Sequence, residues 1–150
     1  MEVSEFKNLV LDYTRKIAES MNCIFGPISD NYGLTMMQTR ILLELHQSGV
    51  HTVGSLADST CIAGTNISAM CKKLEAQGLL ERVRNRDDER VVRIALTGKG
   101  KDIVLGIDSM CNEKIAQHLI DEAEETFEDI VAGLQKLNDL MDRISKFERE

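Results

Sequence analysis

"ISAMCKKLEAQGLLERVRNRDDERVVRIALTGKG", Ile67 to Gly100, changes its hydrophobic period part-way along. In its first third Ile67, Met70, Cys71 and Leu74 recur every three or four residues, the spacing of one helix face, and Gly78 stands where a helix C-cap is expected. From Leu80 the pattern shortens. Leu80 to Arg84 and Val91 to Leu96 are rich in β-branched and apolar residues, and the second run alternates Val92, Ile94 and Leu96 against Val91, Arg93 and Ala95. The two runs predict a β-hairpin, with the charged segment between them as its tip.

Just upstream, Val53 pairs with Leu56 and Ala57 at helical spacing, and the pattern breaks at the small residues Ala63 and Gly64 before Ile67 resumes it. Two short helices joined by a tight turn form a helix-turn-helix, although this stretch alone would equally suit a plain helical hairpin. The β-hairpin that follows directly gives the order of a winged helix. Earlier still, Thr35 precedes Gln38 by three residues, the spacing of a capping box, so a helix is expected from Met36 to His46 with Ile41, Leu42 and Leu45 facing inward. Phe6, Leu9, Val10, Tyr13, Ile17, Met21 and Ile24 trace a first amphipathic helix, expected to stop before Gly26 and Pro27. Thr97 and Gly98 end the second strand. A long helix carrying Ile103, Val104, Ile107, Met110, Cys111 and Ile115 follows, then a last one striped by Phe127, Ile130, Val131, Leu134, Leu137, Met141 and Ile144.

The predicted class is mainly α with a small β-hairpin wing (α+β). The two long apolar stripes at opposite chain ends exceed what one small winged domain covers, which points to a partner. The organisation expected is a single winged-helix protomer over 1–150, with 1–33 and 102–150 mainly dimerisation helices and 34–101 the DNA-binding winged helix-turn-helix.

Charge separates along the same boundaries. The net charge is −7, yet residues 51–101 hold nine basic and six acidic side chains, while 1–50 and 102–150 are net acidic by two and eight. A basic middle between acidic flanks suits one face that meets an anion. Burial of Ile67, Met70, Cys71 and Leu74 leaves Thr65, Asn66, Ser68, Ala69, Lys72 and Lys73 on the opposite side of their helix, with no acid before Glu75. Small hydrogen-bonding residues near the N-terminus with lysines further along are what a recognition helix needs for base edges and phosphates, and a solvated helix face has a similar look. At the hairpin tip Arg90 is positioned to enter a minor groove. Asp88 is expected to pair with it or a neighbouring arginine, while Arg84, Arg86 and Arg93 balance Asp87 and Glu89.

The runs "LTMMQTRILLEL" and "TVGSLADST", the stretch from Ile67 to Gly100, and above all Asp88-x-Arg90 before a strand ending Leu96, Thr97 and Gly100, resemble the MarR-type (multiple antibiotic resistance) winged helix-turn-helix regulators. The resemblance covers nearly the whole chain. It implies a homodimer with the first and last helices interleaved around a twofold axis, Arg90 in the minor groove and the 65–73 face in the major groove. It also implies release from DNA by a small aromatic effector or by cysteine oxidation. The chain departs from the family at Glu89 and Ala69, where many members carry arginine.

The function expected is therefore a sequence-specific double-stranded DNA-binding transcription regulator, a homodimeric repressor reading a pseudo-palindromic operator. The alternative is a winged-helix protein–protein interaction module without specific DNA binding. No nucleophile, base and metal constellation supports an enzyme, and no cofactor or metal is expected. Cys23, Cys61, Cys71 and Cys111 lack zinc-site spacing and are expected to be reduced and buried, with Cys23, next to a turn, the candidate for a redox role. His46 and His51 flank one turn and are expected to be structural or solvated. Met21, Met36 and Met37 are candidates to line an adaptable cavity, with the effector unspecified. With no basic region leading into an apolar run at the N-terminus, and no run near the roughly 20 residues of a membrane span, a cytoplasmic location is expected.

Overall fold

Among the described residues the apolar periodicities become six helices and three short strands. The computed structural model describes residues 1–84 and 91–147, and the chain divides into two units, Met1–Asn112 and Glu113–Glu150. In chain order the elements are α1 (Val3–Asn31), α2 (Met36–Ser48), β1 (His51–Thr52), α3 (Val53–Thr60), α4 (Gly64–Ala76), β2 (Leu80–Arg84), β3 (Val92–Leu96), α5 (Gly98–Leu119) and α6 (Glu124–Phe147).

The first unit closes around Ile28, Leu34, Ile41, Leu42, Leu45, Leu56, Ile67, Leu74, Leu80, Ile94, Val104 and Ile107, all buried. The expected inward faces of α2 and α4 are thus in place, with Met70 half-buried at the margin. The Thr35 capping box forms in full: Thr35 Oγ1 accepts from the Gln38 N–H at 3.2 Å, and Gln38 Oε1 accepts from the Thr35 N–H at 2.9 Å. An antiparallel sheet of order β1–β3–β2 pairs Leu80 with Leu96, Arg82 with Ile94 and Arg84 with Val92. Its two-residue strand β1, which sets His51 opposite Ile94, was not foreseen.

Three expectations need correction. α1 does not stop before Gly26; it runs through Pro27 to Asn31. Proline removes one helical hydrogen bond and normally breaks or kinks a helix, but here the following turn is held from outside. Ile28 and Ser29 are buried, Ser29 Oγ accepts from Thr39 Oγ1 of α2 at 2.9 Å, and the Leu34 N–H reaches back to the Ser29 carbonyl at 3.1 Å. Second, the turn of the helix-turn-helix is not built on Gly64, which opens α4. Its left-handed residue is Cys61, at φ 54°, and the Ile62 N–H bonds to the Ala57 carbonyl at 3.2 Å. Third, only Cys71 is buried; Cys111 is half-buried, and Cys23 and Cys61 are exposed. All four are free thiols.

In the second unit α6 carries Glu124 and Glu125 in its first turn and Lys146 in its last, each complementing the helix dipole. Ile130, Val131, Leu134, Met141 and Ile144 are exposed along it, as are Phe6, Leu9, Tyr13, Ile17 and Met21 along α1. Among the described residues no helix is long and apolar enough to cross a membrane.

Candidate nucleic-acid interface

α4 turns one face into the core through Ile67, Cys71 and Leu74 and leaves Thr65, Asn66, Ala69, Lys72 and Lys73 exposed, with Ser68 half-buried. Among the described residues neither lysine has an ion-pair partner. The N-cap, Ala63, makes no side-chain cap, and the first turn holds no acid. The partial positive charge of the helix N-terminus therefore lies uncancelled at the end that carries Thr65 and Asn66.

The other end of α4 is tied down. Gly78, at φ 74°, ends the helix in a Schellman turn: the Leu79 N–H bonds to the Leu74 carbonyl and the Gly78 N–H to the Glu75 carbonyl, both at 2.9 Å. Onto this turn docks the start of α5. Thr97 Oγ1 donates to the Gly78 carbonyl at 2.6 Å and accepts from the Gly100 N–H at 3.0 Å, the Thr97 N–H bonds to the Leu79 carbonyl at 3.1 Å, and Lys99 Nζ donates to the Gln77 carbonyl at 2.9 Å. A Cβ on Gly100 would overlap the Leu79 carbonyl oxygen. The Leu96, Thr97 and Gly100 pattern is thus a docking device: a core side chain, a cap that serves two helices, and a position open only to glycine.

The hairpin rises beside α4. Side chains alternate across a strand, so Arg82 and Arg84 share the face of buried Leu80, and Arg82 Nε meets Glu75 Oε2 of α4 at 3.0 Å. Arg84, a predicted site residue, is exposed at the end of β2. Arg86, Asp88 and Arg90, with Asp87 and Glu89, lie outside the described residues, and so does the expected pairing of Asp88 with an arginine. Of the predicted site residues the structure describes the α4 face and Arg84, on a helix and a strand that the Glu75–Arg82 pair joins. It adds Glu75, Arg82, Thr97, Lys99 and Gly100, which the sequence reading did not assign to the site; Glu75, an acid inside the basic window, was the available signal.

Beneath this face, burial pushes the Cys71 thiol above its ordinary value; the Arg82 charge pulls the other way and Glu75 adds to the rise. His51 Nδ1 lies 3.1 Å from Ser55 Oγ, and its Nε2 is 3.6 Å from Glu44 Oε1, so the imidazole joins β1 to α2 and α3. Among the described residues no cluster of histidine, cysteine and acidic side chains could hold a metal ion. Cys23 is exposed on α1 in a shallow groove with Lys16, Glu19, Ser20 and Ile24, where Lys16 is engaged by Asp12 at 2.6 Å.

Residues 23–107 match the family described as transcriptional regulator SarA/Rot. The chain belongs to that family. Every core residue named above, from Ile28 to Ile107, falls inside the matched segment, so the SarA/Rot match is to the winged unit itself. The chain is 28% identical over 135 residues to the HTH-type transcriptional regulator FarR of Neisseria gonorrhoeae, covering 87% of this chain and 84% of FarR. It is similar to the solved structure of a MarR family protein from Bacillus stearothermophilus, with a TM-score of 0.80 and 26% identity over 95% of this chain and 99% of that one. It shares its fold with an S. aureus MepR mutant solved bound to an oligodeoxyribonucleotide, at a TM-score of 0.62 and 23% identity, over 88% and 97% of the two chains. This SarA/Rot protein is a winged-helix transcriptional regulator and not an enzyme.

Proposed function

We propose that the protein is a homodimeric repressor that binds a pseudo-palindromic operator in double-stranded DNA. The observation that carries this reading is the cation-bearing, uncapped face of α4, set beside a hairpin that presents Arg84, in the one segment of the chain with net positive charge. Thr65, Asn66, Ser68 and Ala69 read base edges in the major groove, Lys72, Lys73, Arg84 and Arg86 meet phosphates, and Arg90, oriented by Asp88, enters the minor groove. Residues 34–101 form the DNA-binding part, and 1–33 and 102–150 mainly the dimer contacts. The exposed apolar stripes of α1 and of α6, each too extensive to leave in water, support that division. Acting in the cytoplasm, the dimer leaves its operator when a small aromatic effector binds or when a thiol is oxidised; exposed Cys23 is the residue to test.

Selection of bound fragments from random duplex DNA tests the reading. A recovered palindrome with half-sites about 10 base pairs apart, or a multiple, supports it. Binding to that site should weaken steeply with salt, and Arg90→Ala should lower both affinity and salt slope. Failure to enrich any duplex at moderate salt, or a protein monomeric by sedimentation, refutes it and favours a protein-interaction module.

A further inference from the structure

On one side the hairpin is held by the ladder between β3 and β1, which sets Ile94 opposite His51 and Arg93 opposite Thr52; on the other side β2 is the edge strand that meets α4. On the inner face of the hairpin the pairs run from Leu80 opposite Leu96, through Arg82 opposite Ile94, to Arg84 opposite Val92, and burial falls along that series: Leu80, Leu96 and Ile94 are buried, Val92 is half-buried, and both arginines are exposed. The apolar grip on the hairpin therefore ends at the level of Ile94. At that level sits Arg82, whose Nε reaches across to Glu75 Oε2 in the last turn of α4, 3.0 Å away. Seven residues apart in sequence, the pair joins the helix to the strand as the outermost bond between them among the described residues. Glu75 is also the only acid between Arg82 and the start of α4 that lies on that helix.

We propose that the Glu75–Arg82 pair is a strap that sets the angle between the hairpin and α4, so that Glu75 is a positioning residue for DNA binding. This rests on the function proposed above. It carries a consequence opposite in sign to simple electrostatics. An acid beside a phosphate-binding face repels DNA, and its removal should strengthen binding by charge alone; removal of an acid that aims the wing should weaken it.

The test uses the full-length chain as wild type, Glu75→Gln, Arg82→Gln and the double variant, with a duplex recovered by selection. Glu75→Gln is expected to weaken binding about two- to fivefold, the range open to a partly exposed pair, with its salt slope unchanged. The double variant should bind no worse than Arg82→Gln, because both changes break the same strap. In the absence of DNA, the amides of Glu81 to Arg84 should exchange faster in Glu75→Gln while the thermal midpoint stays that of wild type. If wild type binds the duplex and Glu75→Gln binds as tightly or more tightly, or if exchange in β2 is unaltered, the strap is refuted and the DNA-binding function stands. A wild-type chain that binds no duplex overturns both.

Discussion

Alanine in place of glycine separates two positions of α5, six residues apart, that look alike in sequence. At Gly100 the added Cβ would overlap the Leu79 carbonyl oxygen and stand 3.2 Å from Leu96 Cδ2; at Gly106 it would overlap the Tyr32 hydroxyl. The first obstacle cannot move alone. The Leu79 carbonyl already accepts the Thr97 N–H at 3.1 Å, and Leu79 is locked into the Schellman turn of α4. The second is the tip of a side chain that can rotate away. Overpacking a rigid site costs about 1–3 kcal/mol, against a gain of about 1 kcal/mol when alanine replaces glycine within a helix. The overlap at Gly100 is with backbone and falls in the upper part of that range, about 2–3 kcal/mol, so the expected net result is a loss of about 1–2 kcal/mol for Gly100→Ala and a change between zero and a gain of about 1 kcal/mol for Gly106→Ala. Urea unfolding at fixed protein concentration reads both, as a shift in midpoint at constant slope. Equal stability of Gly100→Ala and wild type, or an equal loss at Gly106, would refute the docking role given to the Leu79 carbonyl.

Thr97→Ala removes both the cap of α5 and the bond to the Gly78 carbonyl, and should cost about 1–2 kcal/mol, with Thr97→Ser recovering most of it by the same urea assay. In the native protein near neutral pH an aromatic disulfide reagent should modify Cys23 and Cys61 quickly and leave Cys71 untouched until unfolding; rapid labelling of Cys71 would contradict its burial. Because burial raises the folded thiol above its unfolded value, the contribution of Cys71 is fully present below the unfolded thiol pKa of about 8.5 and is lost as pH climbs toward the folded value. The urea midpoint should therefore fall above about pH 8.5, and less so in Cys71→Ala compared with itself at pH 7.

The features legible in the sequence are those whose cause is local. The capping box at Thr35, the inward stripes of α2 and α4, and the Leu80–Leu96 hairpin each follow from side chains a few residues apart. What escaped detection depends on distant atoms. Pro27 reads as a stop, and only the burial of Ile28 and the bond from Thr39 to Ser29 carry α1 past it. β1 is two residues long, too short to show a period, and exists because the edge of β3 offers it partners. The left-handed turn residue is Cys61 where glycine would be expected, so the conspicuous Gly64 drew the turn three residues too far. At the site, the exposed face of α4 follows from its buried one, whereas the Glu75–Arg82 pair joins a helix to a strand, a juxtaposition that no spacing encodes.

The attachments of α4 are unequal at its two ends, and the inequality suits a helix that must fit a duplex. Its C-terminal end is held by the Schellman turn, by Thr97 and Lys99, and by the pair with Arg82. Its N-terminal end follows a non-glycine residue held left-handed, a conformation costing about 1–2 kcal/mol, and has no side-chain cap. The N–H groups of the first turn are thereby left for a phosphate or for water instead of for a cap. Ala63, at φ −54° and ψ 134°, has backbone angles close to those of an N-cap, so Ala63→Ser should stabilise the free protein by about 0.5–1 kcal/mol. If first-turn N–H groups contact DNA, the same change should weaken duplex binding, since its hydroxyl occupies one of them. Calorimetric unfolding and a binding isotherm on one preparation decide the matter. A variant that gains stability and keeps full affinity would show that the open N-terminus of α4 has no part in recognition.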